Sequence, residues 1–140
     1  DHLGSNIREV LYQACRKEIE GKCGPEGYVK PNTINIESYS SGIIKESRVI
    51  FNVAIACQVC KPVKGMILDC RVTNVTQSAG IRAQLDGNPP PAIIYLARDQ
   101  HLGIKAFGEI KPMSNIKVKV IGSRFQLNDR FVSVIGQLVE

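Results

Sequence analysis

Between Asn6 and Glu20 the apolar residues Ile7, Leu11, Cys15 and Ile19 recur every fourth position, with Val10 and Ala14 beside them. That period predicts one face of an α-helix, and Arg8, Arg16, Lys17 and Glu20 line the wet face. Asn6 followed by Glu9 has the form of a capping box, and Gly21 is placed to stop the helix. The next segment, "GKCGPEG", reads as a loop around a Pro-containing turn.

Beyond Tyr28 the period shortens to two. "YVKPNTINIESY" and "RVIFNVAIACQV" are rich in β-branched residues and largely alternating, so both predict strands, with "SSGIIKES" between them. The second run sets Val49, Phe51, Val53, Ile55, Cys57 and Val59 on one face. Ile50, Asn52, Ala54, Ala56, Gln58 and Cys60 fall on the other.

A second block starts at Lys61. Strands are predicted over "KGMILDCRVTNVT", "IRAQL" and "AIIYLA", separated by "QSAG" and the loop "DGNPPP". "RDQHLGIKAFGEIKPMSN" reads mostly as loop. Then "IKVKVIGSRF" and "RFVSVIGQLV" form two closing strands joined through Gln126 to Asp129, where Asn128-Asp129 is a turn signal. Five short strands with glycines at the corners predict a small closed barrel of the OB type. The fold class is therefore α+β. A helix-plus-antiparallel-sheet domain spans residues 1–60 and a five-stranded OB-fold barrel spans 61–140, with Pro62 and Gly65 at the junction.

The chain of 140 residues is 44% hydrophobic, which suffices for a buried core. No apolar run approaches the roughly 20 residues of a membrane helix, and no membrane partner is expected. The first residues carry no apolar signal segment, so the expectation is a soluble, intracellular protein with reduced thiols. Eighteen Lys and Arg against thirteen Asp and Glu leave a net charge of +5, which is compatible with binding a polyanion but does not require it.

Cysteines 15, 23, 57, 60 and 70 include a CxxC pair, Cys57 and Cys60, at the spacing used by zinc knuckles and thioredoxin-like sites. A structural zinc needs a second ligand pair, yet Cys70 stands alone and His2 and His101 are isolated. A redox pair belongs at a helix N-terminus, whereas this one ends a strand and runs into Lys-Pro. On a regular strand the two would also face opposite sides. Core and edge cysteines, with no metal and no cofactor, are the expectation.

Enzymatic signals are equally thin. There is no Gly-x-Ser-x-Gly elbow, no phosphate loop and no pair of carboxylates, and His101 follows Arg98-Asp99 without a nucleophile nearby in the sequence. No catalytic residue is assigned. Single-strand binding fits better, because OB barrels use their second and third strands for it. With Ile81, Ala83 and Leu85 inward, Arg82 and Gln84 face out, and Tyr95 lies on the third strand close to Arg98. An arginine plane beside an aromatic can stack on bases, while Arg71, Lys64 and Lys105 could draw phosphates.

Taken together and in order, "HLGSNIREVLYQACRKEIEGKC", "GYVKPNTINIESYSSGIIKESRVIFNVAIACQVCKPVKG", "VTNVTQSAGIRAQL", "IIYLARDQH" and "IKVKVIGSRFQLNDRFVSVIGQL" resemble one family. It is the larger stalk subunit of multisubunit DNA-directed RNA polymerases, the seventh subunit of eukaryotic polymerase II and the archaeal E subunit. The resemblance runs through nearly the whole chain and implies a non-catalytic subunit. Its "tip" half would dock on the polymerase core near the clamp and pair with a small helical stalk partner. Its ribosomal-S-one-type barrel would lie near the RNA exit and contact nascent single-stranded RNA. Arg82 falls where such barrels often carry an exposed aromatic, and Tyr95 where they often carry an aromatic or His.

The family begins with a further strand before the helix, so that first tip strand is expected to be absent here or its place filled by something else, and the loop after "LARDQH" is short for the eukaryotic version. A divergent lineage, including a viral one, fits these departures. The implied location is the nucleus for a eukaryotic protein, the cytoplasm for an archaeal one, and the virion or viral factory for a viral one. A free-standing RNA-binding protein with an S-one-type barrel, acting in translation or RNA decay, would share the barrel and give the first 60 residues no docking role.

Overall fold

The amphipathic stretch forms α1 (His2–Ile19) in the computed structural model, which describes residues 2–40 and 42–140, with side chains described from Asn6 except at Ser41. The helix starts before Asn6, so the predicted capping box lies inside it and caps nothing. Its C-terminus is where the glycine placed it: Gly21 has a φ of 73° and its N–H bonds Val29 O at 2.9 Å. Ile7, Leu11, Cys15 and Ile19 are half-buried, but Ala14 is exposed and Val10 is 66% exposed, so the buried stripe is narrower than the pattern suggests. Polar bonds help hold the helix down. Arg8 donates to the Ile36 carbonyl at 2.5 Å, and Arg16 reaches both Glu20 (3.0 Å) and the Asn32 amide oxygen (3.1 Å).

"GKCGPEG", read as a loop, is a hairpin of β1 (Cys23–Gly24) and β2 (Gly27–Val29). The two long strand-like runs are broken into β3 (Asn35–Tyr39), β5 (Arg48–Ile50), β6 (Val53–Ala56) and β7 (Val59–Cys60), and "SSGIIKES" contributes β4 (Ile43–Lys45). The breaks are set by pairing. β7 pairs with β2 and β6 with β3, and between β2 and β3 the chain turns at Pro31 and Asn32, the latter at a φ of 64°. The opposite run must therefore also bend, and it does so at Cys57-Gln58, where Gln58 bonds Lys30 N at 2.9 Å and Thr33 Oγ1 at 3.0 Å. Burial still alternates from Phe51 to Gln58, as the period predicted.

The second half forms β8 (Ile67–Thr76), β9 (Gly80–Gln84), β10 (Ala92–Ala97), β11 (Asn115–Arg124) and β12 (Val132–Leu138). They close in the order β10-β12-β11-β8-β9, antiparallel except for the parallel pair β10-β12. This is the five-stranded OB barrel that the spacing predicted. Val72, Ile81, Ala83, Ile94, Leu96, Val118, Val120, Val132 and Val134 fill it. Each full burial of such a branched side chain contributes roughly 1.5–3 kcal/mol. At Gly80, with φ 134°, a Cβ would overlap the Leu96 carbonyl, so only glycine allows β9 to start there.

The two halves share one core. Cys23 and Tyr28, both buried, belong to the cluster that fills the barrel. Cys23 also exchanges two backbone bonds with the turn before β12, its N–H to Asp129 O at 2.7 Å and its carbonyl from Asn128 N at 2.8 Å. Ser123 Oγ donates to Pro62 O at 2.6 Å, tying the junction to β11.

The segment "RDQHLGIKAFGEIKPMSN" is loop except for a 3-10 turn (Arg98–His101), the short α2 (Lys105–Gly108) and its last residue, Asn115, which opens β11. His101 is 3% exposed. Its Nδ1 lies 2.6 Å from Ala97 O and its Nε2 accepts the Leu138 N–H at 3.0 Å, which requires the neutral ring with the proton on Nδ1. The ring stacks on Phe107, centroids 4.4 Å apart at 13°.

Two outcomes are expected. His101→Phe keeps the ring but leaves the Ala97 carbonyl and the Leu138 N–H without their partner. It should destabilise the fold by about 1–3 kcal/mol, read as a lower urea midpoint at unchanged slope; an unchanged midpoint would show that the clasp contributes nothing. The second concerns the buried thiols. Burial raises both Cys23 and Cys70 from 9.0 to about 11, with Asp129 and Asp69 adding to the respective shifts. Above pH 9 the unfolded chain loses protons that the native state keeps, so this contribution to stability is intact below pH 9 and declines toward pH 11. In the folded protein at pH 9, both thiols should resist iodoacetamide and react only on unfolding; rapid native labelling, located by mass spectrometry, would contradict the burial.

Candidate nucleic-acid interface

The pleat of the barrel turns every second side chain of β9 and β10 outward. Arg82 and Tyr95 are directly opposite in the β9-β10 ladder, and the guanidinium lies 5.8 Å from the ring centre. At that distance the cation sits over the ring's negative face. The outer row continues on both sides. Asn74 on β8 is opposite Arg82, Ile135 on β12 is opposite Tyr95, and Gly122 on β11 is opposite Ile135. Tyr95 is 38% exposed and Ile135 45%, so the row presents an arginine, an aromatic and an aliphatic side chain to solvent.

Two clefts flank this row. One, of about 310 Å³, is bordered by Asn74, Thr76, Arg82, Tyr95 and Ile135 among others. The second, of about 500 Å³, is lined by Tyr95, Gly122, Ser123, Arg124, Ser133 and Ile135. Among the described residues neither lining contains a carboxylate, so the charge at the row is positive on both sides.

The other residues singled out from the sequence lie elsewhere. Arg71 is opposite Gln84 and Asn115 and lines a separate cleft with Asp69 and Asp86, whose charges offset its own. Arg98 is half-buried: it donates to the Thr76 carbonyl at 2.9 Å and lies 5.2 Å over the Phe107 ring, so its guanidinium is engaged within the fold. Lys64 is exposed in the turn before β8 and Lys105 at the start of α2, and neither borders the two clefts. Sequence reasoning did not single out Ile135, Gly122 and Arg124, which line the second cleft. Alternation in "RFVSVIGQLV" marks Ile135 as an outward apolar residue, but only the parallel β10-β12 pairing brings it beside Tyr95.

All five cysteines are free thiols. Cys60 sits on β7 opposite Tyr28 and packs on the shared core, where burial pushes its thiol up. Cys57 is half-buried at the bend before β7. Among the described residues no three His, Cys, Asp or Glu gather to hold a metal; the His2 side chain lies outside them.

In the tip, β4 and β5 form a two-stranded ribbon turned by Glu46 and Ser47 at φ 50° and 67°. Its pairs, Ile43 with Ile50 and Ile44 with Val49, are all exposed, Ile44 to 80%. Four large aliphatic side chains on one hairpin form an unusual apolar projection.

No protein-family model matches the chain. Among curated proteins it is 30% identical to the DNA-directed RNA polymerase II subunit RPB7 of Glycine max, over 93% of this chain and 80% of that protein. It is 37% identical to the polymerase II subunit rpb7 of Dictyostelium discoideum and 36% to subunit 7 of Arabidopsis thaliana, in each case over 54% of this chain and 45% and 44% of the relative. The soybean alignment spans helix, tip and barrel together, and the chain belongs to the family of the seventh subunit of DNA-directed RNA polymerase II.

Proposed function

We propose that the chain serves as a non-catalytic stalk subunit that docks on the polymerase core through its tip and offers its barrel to nascent single-stranded RNA. Membership of the family supports the polymerase role, and the polymerase II relatives, all eukaryotic, support a nuclear location. The observation that carries the RNA role is the Arg82–Tyr95 pair, an exposed cation–aromatic surface on the second and third barrel strands with no carboxylate among the described residues of its clefts.

Docking falls to the β4-β5 ribbon. Burying Ile43, Ile44, Val49 and Ile50 against a partner would remove apolar area that the isolated chain leaves in water. Val59, Val63, Met66 and Ile67, exposed around the junction, supply the surface that a small helical stalk partner would cover. A free-standing RNA-binding protein would share the barrel face but leave the ribbon's aliphatic pairs without a purpose.

Co-purification tests the docking. A tagged chain should recover polymerase core subunits, and Ile44→Asp should reduce that recovery at least about fivefold without changing the circular dichroism, because Ile44 is exposed and packs little of the fold. A parent chain that recovers no core subunit refutes the assignment. For RNA, Arg82→Ala and Tyr95→Ala are each expected to weaken binding of a single-stranded oligonucleotide at low salt, by about 1–3 kcal/mol per lost stacking contact. If both variants bind as tightly as the parent, this face is not the RNA site.

A further inference from the structure

Tyr95 and Ile135 border both clefts on the barrel's outer face, so together they form a ridge between them. The two flanks differ. Arg82 borders only the first cleft, and its guanidinium covers the Tyr95 ring there at 5.8 Å. A base stacking on that flank would have to displace the cation. Arg124 borders only the second of these clefts, where no cation among the described residues lies over the ring.

The second cleft is deepened by a backbone irregularity. Val120 is opposite Gly136, and an unbroken ladder would next set Ile121 opposite Ile135 and fill the space with a side chain. A β-bulge between Val120 and Gly122 shifts the register so that Gly122 takes that place. A Cβ at Gly122 would meet nothing within 4 Å among the described residues, so the space above it is open. Arg124, opposite Ser133, follows on the same outer face. The cleft of about 500 Å³ lies in the range that holds small ligands.

We infer that an unpaired RNA base seats over Gly122, against the Tyr95 ring and the Ile135 side chain, and that Arg124 neutralises the neighbouring phosphate. The single strand then crosses the sheet from Arg82 on β9 to Arg124 on β11, and Ile135, Gly122 and Arg124 are further RNA-contacting residues. The inference rests on the RNA-binding reading of the Arg82–Tyr95 face and specifies which side of it holds the base. Stacking and an aliphatic wall accept any base, so little sequence preference is expected.

The test uses the full 140-residue chain and a fluorescein-labelled 12-nucleotide oligouridylate, read by fluorescence anisotropy over a salt series. Gly122→Val fills the open space and is expected to bind about tenfold more weakly, with an unchanged urea midpoint because the new side chain has no neighbour to strain. Arg124→Gln should bind severalfold more weakly and show a salt slope smaller by about one. If both variants match the parent while Tyr95→Ala binds more weakly, the base sits on the Arg82 flank; the inference then falls and the RNA reading stands. If Arg82→Ala and Tyr95→Ala also match the parent, the RNA reading falls and takes the inference with it.

Discussion

The parallel pairing of β10 with β12 is the constraint on which the rest of the molecule depends. The other four strand contacts of the barrel are antiparallel, and without this one the sheet would stay open, with β10 and β12 as unpaired edges. Closure buries Ile94, Leu96, Val132 and Val134 against one another inside. The same register, Tyr95 opposite Ile135, sets the exposed aromatic next to an exposed aliphatic outside. Core and candidate interface are thus two faces of one ladder, because successive side chains of a strand point to opposite sides. The 3-10 turn after β10 reinforces the closure: His101 joins the end of that strand, through Ala97, to the end of β12, through Leu138.

The tip depends on the barrel in turn. β1 and β2 are two and three residues long, far too short to be stable alone. They persist because Cys23 and Tyr28 extend the barrel's core and Cys23 bonds the Gln126–Asp129 turn. Burial declines outward from there, through the β3-β6 ladder to the β4-β5 ribbon, whose side chains are exposed throughout. The docking role proposed for the ribbon suits this gradient, because an element with little packing of its own has little to lose when it adapts to a partner.

The barrel strands were legible in the sequence because their alternation is local and long enough to count; "AIIYLA" is β10 to the residue. The helix was legible for the same reason, though its start was not, since no capping geometry at Asn6 decided it. The tip resisted reading because its boundaries are tertiary. Nothing within "RVIFNVAIACQV" marks the bend at Cys57-Gln58; it follows from the turn at Pro31-Asn32 on the paired run. The CxxC was a distraction of the same kind, two cysteines placed by a bend and a short ladder, one of them packed on the core. At the candidate site Arg82 and Tyr95 could be paired from strand order alone. Gly122 and Ile135 could not, since their meeting requires both a parallel neighbour and a bulge.

An arginine opposite the tyrosine sets the physics of the face. Two aromatics would offer two stacking surfaces whose attraction for bases varies little with salt. Arg82 instead covers one side of Tyr95 and adds a charge that attracts phosphate, an attraction that weakens as ionic strength rises. The bulge at Ile121 then matters more than it would beside two aromatics, because the remaining side of the ring is approached from Gly122. The cation on β9 and the open space above β11 act on opposite flanks: the first occupies one side of the tyrosine, and the second leaves the other accessible.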